Sequence, residues 1–477
     1  MNKSIVLYII GWILTVEAGL LSLPIIVAII YGEKSGYAFL ITLGLCLLIG
    51  IPLIIHKPKS RIFFSKEGFV SVALGWIVLS IVGALPFYIS DEIPSYIDAL
   101  FEVISGFTTT GSSILKDVEA LSYCMLFWRS FTHWIGGMGI LVFILAILPL
   151  TGGERMHILR AESPGPSIEK LVPKIKTTAI ILYALYIGMT LLQILLLSLG
   201  NMPMFDAVTL TFGTAGTGGF AIKNSGIASY SIYDQNVITI FMLLFGVNFN
   251  IYYLLLFRKF KTAMKSEELR SYFLIVFTAI VLISFNLGGM KGFLKSIQVT
   301  AFQVASVITT TGYATVDFNQ WPTFSKSILV VLMFIGACAG STAGGIKVSR
   351  ITILFKTVGK ELSYLLHKRS IKILKFDGHK IEHETMRSIN VFFISYMFLF
   401  TVSFIIVSLD NFDFTSSFTA VAATLNNVGP GLEIVGPMGN FSSFSPLSKI
   451  VMMIDMLAGR LELFPLILLF SPSTWKK

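Results

Sequence analysis

Four runs of small polar residues, each ending in glycine, are set into an otherwise apolar chain. They read Thr108-Thr109-Thr110-Gly111, Ala215-Gly216-Thr217-Gly218-Gly219, Thr309-Thr310-Thr311-Gly312 and Leu425-Asn426-Asn427-Val428-Gly429. Their last glycines lie 108, 93 and 117 residues apart. Such a run offers two kinds of neutral oxygen, the backbone carbonyl and the threonine hydroxyl. Four runs brought together can replace the hydration shell of a cation, as a selectivity filter does. Glycine at the end of each supplies the φ values that alternating carbonyl directions require. Irregular backbone at membrane depth persists only where it is buried in protein or lines a water-filled path. One run alone reads as an ordinary turn between helices. Four of them, each preceded by a short helix and flanked by apolar spans, point to a cation pathway.

The elements that must carry these runs follow from composition. The chain has 477 residues, of which 55% are hydrophobic and 13% charged, with mean hydropathy +0.80. A soluble domain carries about 25% charged residues. Apolar stretches long enough to cross a bilayer fall at 5–31, 37–55, 69–90, 124–150, 177–200, 235–257, 271–289, 326–346, 389–409 and 446–470. The first is too long for a signal-peptide core and lacks a cleavage site, so it reads as a retained helix. Ten spans place both termini in the cytoplasm. The net charge of +10 concentrates in 57–67, 153–176, 258–270, 347–387 and Lys476-Lys477. That is the positive-inside pattern, which accounts for the basic balance with no nucleic-acid partner. Cys46, Cys124 and Cys338 show no CxxC spacing and imply neither a disulfide framework nor a zinc site.

Four further segments, 93–107, 203–214, 296–308 and 412–424, are too short to span and lead directly into the glycine-ended runs. Their length suits re-entrant helices. A C-terminal helix end aimed at the pathway would favour a cation through its dipole. The expected fold class is therefore an all-α polytopic membrane protein. It has four pseudo-symmetric helix–re-entrant pore loop–helix repeats plus an N-terminal two-helix hairpin. The expected divisions are 1–56 for the hairpin, then 57–152, 153–266, 267–360 and 361–477 for pore repeats one to four. The loop 347–388 is expected to be partly helical, with a turn at Asp377-Gly378.

A second constellation lies where the second span of repeat three should continue. Gly336-Ala337-Cys338-Ala339-Gly340-Ser341-Thr342-Ala343-Gly344-Gly345 makes a poor helix, at up to about 1 kcal/mol per glycine relative to alanine. A flexible break at the cytoplasmic mouth, leading through Ile346 and Lys347 into the basic loop, reads as a gate. Close packing of helices through small residues is the alternative. Gly340 to Lys347 is not a phosphate loop, because Ile346 separates Gly345 from Lys347 and Val348 follows. Arg460 lies well inside the last span, where an ionisable group is costly and functional by default. It stands either near the path below the filter, limiting cation flow in the closed state, or in an ion pair with another helix. Glu17 lies outside the pore-forming repeats and reads as structural or interfacial. His379 and His383, spaced i, i+4, read as a solvated helix face, and His133 as a packed or hydrogen-bonded helix residue.

With these residues in view, the chain resembles the Trk/Ktr/HKT superfamily of potassium transporters, most closely its TrkH type. The resemblance rests on Thr109-Thr110-Gly111, Gly218-Gly219-Phe220, the stretch Thr309 to Phe318 (TTTGYATVDF) and Asn426 to Leu432 (NNVGPGL). It extends to Trp134-Ile135-Gly136-Gly137-Met138-Gly139, Gly340 to Lys347 (GSTAGGIK), Gly459 to Phe464 (GRLELF) and the N-terminal hairpin. The resemblance implies a homodimer with one pore per protomer, in the bacterial inner membrane. It implies a filter of Thr109, Thr110, Gly111, Thr217, Gly218, Gly219, Thr310, Thr311, Gly312, Asn427, Val428 and Gly429. Potassium, the transported ion, would sit at Thr110, Gly111, Gly218, Gly219, Thr311, Gly312, Val428 and Gly429. The second run is the least regular, lacking the triple threonine. The resemblance also implies a gate that includes Gly336, Gly340, Ser341, Thr342, Gly344, Gly345, Lys347 and Arg460. A cytoplasmic TrkA-type nucleotide-binding subunit would regulate opening. The basic loops could dock it and also meet anionic lipid. No covalent cofactor is implied.

Channel-like potassium uptake is thus the leading function, with proton- or sodium-coupled symport the alternative within the same family. A secondary transporter of another solute would use Asp455, Glu462 or Glu17 as a proton or sodium ligand. An intramembrane enzyme would need paired aspartates, a Ser/His pair or HExxH within spans, and the sequence has none.

Overall fold

The structure is a computed structural model that describes residues 1–58, 65–138, 175–368 and 373–475. Most of the basic segment 153–176, the 152/153 boundary, Gly139 and the terminal lysines lie outside the described residues. Among the described residues, six helices are long and apolar enough to cross a membrane: Lys3–Tyr31, Gly36–Ile55, Lys66–Ile89, Ile180–Leu199, Glu267–Gly289 and His383–Asp410. Only 22% of the apolar window of Ile180–Leu199 is buried by the rest of the chain, so most of it faces outward, as a helix in contact with lipid or a second subunit does. The chain is a multi-pass membrane protein.

Of the ten expected spans, six appear among the described residues as single long apolar helices, or seven if one bent pair is a single span, and the others are broken, shorter or only partly described. The segment expected at 235–257 is that pair, Ile232–Phe245 and Phe249–Leu256, bent by 92°. The one expected at 326–346 is helical only over Thr323–Ile335. The last divides into Pro446–Arg460 and Phe464–Phe470, and Glu462 and Leu463 take φ of +58° and +65° between them. Helix Tyr123–Gly137 ends at Met138, and the remainder of its expected span lies outside the described residues. The breaks have local causes. Pro465 near the start of helix Phe464–Phe470 favours a new helix there, and Gly336 has φ +69° and ψ −162°, which ends the helix before it.

The four short segments are helices: Tyr96–Phe107, Met204–Gly216, Gly292–Ile308 and Phe414–Leu425. Ser95 accepts a hydrogen bond from Asp98 N, and Asp413 one from Ser416 N, so the first and fourth have side-chain N-caps. The third is continuous with the preceding span through a kink at Gly289, whose φ is +54°. The first two helices pack against each other and against the third, Ser65–Gly83. In the basic loop, helix Val348–Leu366 is followed by a two-stranded hairpin, Lys375–Phe376 with His379–Lys380. Asp377 and Gly378 form its tip, both at positive φ. His379 therefore sits in a strand while His383 begins the next helix, so the two share no helix face.

Candidate functional site

Each short helix ends in the same backbone signature. Thr109, Thr217, Thr310 and Asn427 have φ of 54–56°, and two residues on, Gly111, Gly219, Gly312 and Gly429 have φ of 75–100°. The residue between them donates back into its helix: Thr110 N to Ser105 O at 2.9 Å, and Gly218 N to Gly213 O at 2.8 Å. Thr311 N to Ser306 O and Val428 N to Ala423 O follow the same pattern, each at 2.8 Å. With the preceding bonds (Thr109 N to Gly106 O is one), this is a Schellman helix end whose left-handed residue is not glycine. A β-branched residue there is strained. Sequence reasoning assigned the conformational freedom to the glycines and missed that the threonines share it. The second run, though irregular in sequence, has the same geometry as the others.

The glycines are needed for a different reason. A Cβ on Gly111 would stand 2.0 Å from Gly218 O, one on Gly219 1.8 Å from Thr311 O, and one on Gly312 2.2 Å from Val428 O; on Gly429 it would stand 2.8 Å from Thr110 O. Each glycine thus backs onto the carbonyl that precedes the glycine of the next run. The sequence of contacts, first to second to third to fourth to first, closes a ring. All four glycines line an open vestibule of about 1100 Å³. Asn427 Nδ2 donates to Thr110 Oγ1 at 2.9 Å, which ties the fourth run to the first.

A second, smaller cavity is lined in part by Gly136, Ser341, Gly344, Lys347, Gly459 and Arg460, of which Gly344 and Gly459 back onto the carbonyls of Asn426 and Leu425 in the fourth run. The glycine-rich stretch 336–345 is not helical and folds back on itself. Ile346 N donates to Phe334 O and Lys347 N to Ile335 O, at 3.1 and 2.9 Å. Its far end touches the ring: Gly344 N donates to Thr310 Oγ1 at 2.7 Å, and Gly345 N to Asn426 O at 3.0 Å. Its middle reaches the bend of the second unit, where Phe249 N donates to Gly340 O at 3.0 Å. Gly336 and Gly340 therefore lie away from the ring, while Gly344 and Gly345 lie against it. Arg460 donates to Thr342 O at 2.7 Å, to Gly136 O at 2.6 Å and to Gly137 O at 3.0 Å. Its guanidinium thus joins the glycine-rich stretch to the end of helix Tyr123–Gly137. Lys347 donates to Ala343 O, and Glu462 pairs with Arg350.

Glu102 and Arg129 escaped the sequence reading. They form a buried ion pair behind the first two runs. The signal was present, since each is an isolated charge in an apolar stretch. His133 is buried and bonded as expected, with Nε2 accepting from Phe220 N at 3.2 Å and Nδ1 2.8 Å from Gly106 O. Glu17 is buried with neither oxygen hydrogen-bonded, beside Gly83. Asp455 is buried and accepts from Ser403 Oγ at 2.6 Å. All three cysteines are free and buried.

A multi-pass helical protein with polar turns buried at its centre and cavities on either side of them has the architecture of a membrane transport protein. The comparisons give the family. The TrkH family, described as cation transport protein, matches residues 35–477. The Trk system potassium uptake protein TrkH of Escherichia coli (strain K12) is 37% identical over 477 residues, covering 98% of each chain. The Trk system potassium uptake protein TrkG of the same organism is 36% identical over 95% of this chain and 94% of its own. The crystal structure of the potassium transporter TrkH from Vibrio parahaemolyticus aligns over all of both chains with TM-score 0.88 and 31% identity. This chain belongs to the TrkH family, whose members are transporters and not enzymes.

Proposed function

We propose that this chain takes up potassium across a bacterial inner membrane, with the four glycine-ended runs as its selectivity filter. The observation that carries the reading is the closed ring of carbonyl-to-glycine contacts. The ring gathers neutral oxygens from four segments, and the short helices direct their C-terminal ends at it. Potassium occupies the ring at Thr110, Gly111, Gly218, Gly219, Thr311, Gly312, Val428 and Gly429. The named function of the relatives is potassium uptake.

The architecture is four pore repeats, 57–152, 153–266, 267–360 and 361–477, after a hairpin at 1–56, with both termini in the cytoplasm. The stretch 336–345, with Lys347 and Arg460, is the gate beneath the filter. Its glycine content permits rearrangement, and Arg460 places a positive charge beside the lower cavity. The protein works as a homodimer with a cytoplasmic TrkA-type nucleotide-binding subunit, docked on the basic loops. Asp455 Oδ2, Glu462 Oε1 and both oxygens of Glu17 are buried without hydrogen-bond partners, and these three carboxylates are the groups that coupled transport would use.

Flux into proteoliposomes containing the chain tests this, comparing potassium, rubidium, sodium and lithium under a diffusion potential. Flux that favours potassium and rubidium, with no proton or sodium gradient, is the expected outcome. A requirement for a second gradient moves the mechanism to symport. No cation flux, even with the regulatory subunit added, would end the pore reading.

A further inference from the structure

We infer that the buried Glu102–Arg129 ion pair is a positioning element for cation selectivity, acting on the first two runs of the ring. The inference rests on the filter reading above. Arg129 Nε donates to Glu102 Oε1 at 2.6 Å, with side-chain exposures of 3% and 0%. Burial this deep makes the pair costly unless its other atoms are satisfied. They are satisfied by the segments that leave the filter. Glu102 Oε2 accepts from Ile114 N at 3.0 Å, and Ser113 Oγ donates to both carboxylate oxygens at 3.0 and 3.1 Å. On the other side Arg129 Nη1 donates to Ala221 O at 2.8 Å, and Cζ stands 3.6 Å over the Phe220 ring.

Ser113 and Ile114 follow Gly111, whereas Phe220 and Ala221 follow Gly219. The pair therefore fixes the exits of two adjacent runs relative to one another. It does so where Gly111 already backs onto Gly218 O. Glu102 lies nine residues before its glycine; at the same offset the other short helices carry Leu210, Gln303 and Ala420. Gln303 Nε2 reaches Thr315 Oγ1 at 3.3 Å, and Thr419 Oγ1 accepts from Leu432 N at 2.9 Å. Those neutral bonds hold a run to its own helix. Lys223–Asp206 at 3.5 Å and Lys326–Glu433 at 3.8 Å also stand at the exits of the second and fourth runs, but both are partly exposed; among the described residues Glu102–Arg129 is the one ion pair at the run exits that is buried. Charged hydrogen bonds in a low-dielectric surround hold geometry more tightly than neutral ones. The first half of the ring is accordingly the stiffer.

The test separates positioning from charge. Glu102→Gln alone strands Arg129 as an uncompensated cation near the filter and lowers total flux as well as selectivity. Glu102→Gln/Arg129→Gln removes both charges. In proteoliposomes its total cation flux stays within about threefold of wild type, while the potassium-to-sodium flux ratio falls about tenfold, the scale of one charged hydrogen bond. Folding is checked by size-exclusion profile and thermal midpoint. Should the double variant fail to fold, Ser113→Ala carries the test, with an expected loss of roughly two- to threefold in the same ratio. A folded double variant with the wild-type ratio overturns the inference; where Ser113→Ala carries the test, an unchanged ratio does the same. Wild-type protein without potassium preference would overturn the filter reading itself, before any variant is compared.

Discussion

The four glycine-ended turns proposed as the filter and the glycine-rich stretch 336–345 both use left-handed backbone, but with different residues. In the filter the left-handed helix end falls on Thr109, Thr217, Thr310 and Asn427, none of them glycine. In the stretch below it falls on Gly336, Gly340 and Gly345, with Lys347 the exception. A non-glycine residue in that region costs on the order of 1–3 kcal/mol and persists only where the surroundings over-determine it. The filter meets that condition through its helix-end hydrogen bonds and its closed ring. Glycine carries no such strain, so a stretch rich in it has alternatives close in energy. One region is held in a strained geometry by its contacts; in the other, glycine lowers the backbone cost of a rearrangement.

Three substitutions sharpen that contrast. The largest effect is expected for Gly312→Ser, which places a side chain within 2.2 Å of Val428 O. Potassium-to-sodium flux ratios in proteoliposomes should fall by at least about tenfold, equivalent to ~1.4 kcal/mol of discrimination, while membrane insertion persists. Wild-type selectivity would remove Gly312 from the filter. Arg460→Ala comes next, because it releases the carbonyls of Thr342, Gly136 and Gly137. Basal potassium flux without the regulatory subunit should rise roughly fivefold with the ion ratio unchanged, as expected for lost charged hydrogen bonds that favour the closed state. A shift in the ratio instead would place Arg460 in the filter's support and not in the gate. The smallest effect belongs to Thr217→Gly. Relief of strain and the added freedom of the unfolded chain nearly offset, so stability should change by less than about 1 kcal/mol. Selectivity should fall less than for Gly312→Ser. A loss as large as that of Gly312→Ser would mean that the threonine side chain, not only its backbone, shapes the ring.

The parts legible in the sequence were those with a local cause. The short helices stand close to where length and hydrophobicity placed them, and the glycines of the ring carry the motif by which they were found. The order of contacts around the ring was not legible, because it depends on which carbonyl backs onto which glycine. The break at Glu462-Leu463 was equally hidden. No glycine falls at its left-handed positions, and it is held by Leu463 N donating to Ala458 O at 2.9 Å and by the Arg350–Glu462 pair. Pro465 was the available cue. Glu102 and Arg129 were visible as lone charges, but they stand on two separate helices, Tyr96–Phe107 and Tyr123–Gly137, and nothing in either segment names the other.

The ring of contacts has one further consequence. Each glycine meets a surface of the next run unlike the one its own run presents to the preceding neighbour, and the fourth contact returns to the first. That is the head-to-tail, heterologous contact of a cyclic four-subunit assembly, closed here within one polypeptide. In a homotetramer every buried charge pair would have to appear in all four quadrants, at four times the desolvation cost. A single chain escapes that obligation. It can bury an ion pair in one quadrant and leave the others to neutral or solvent-exposed contacts, so that each quarter of the ring is free to be tuned alone.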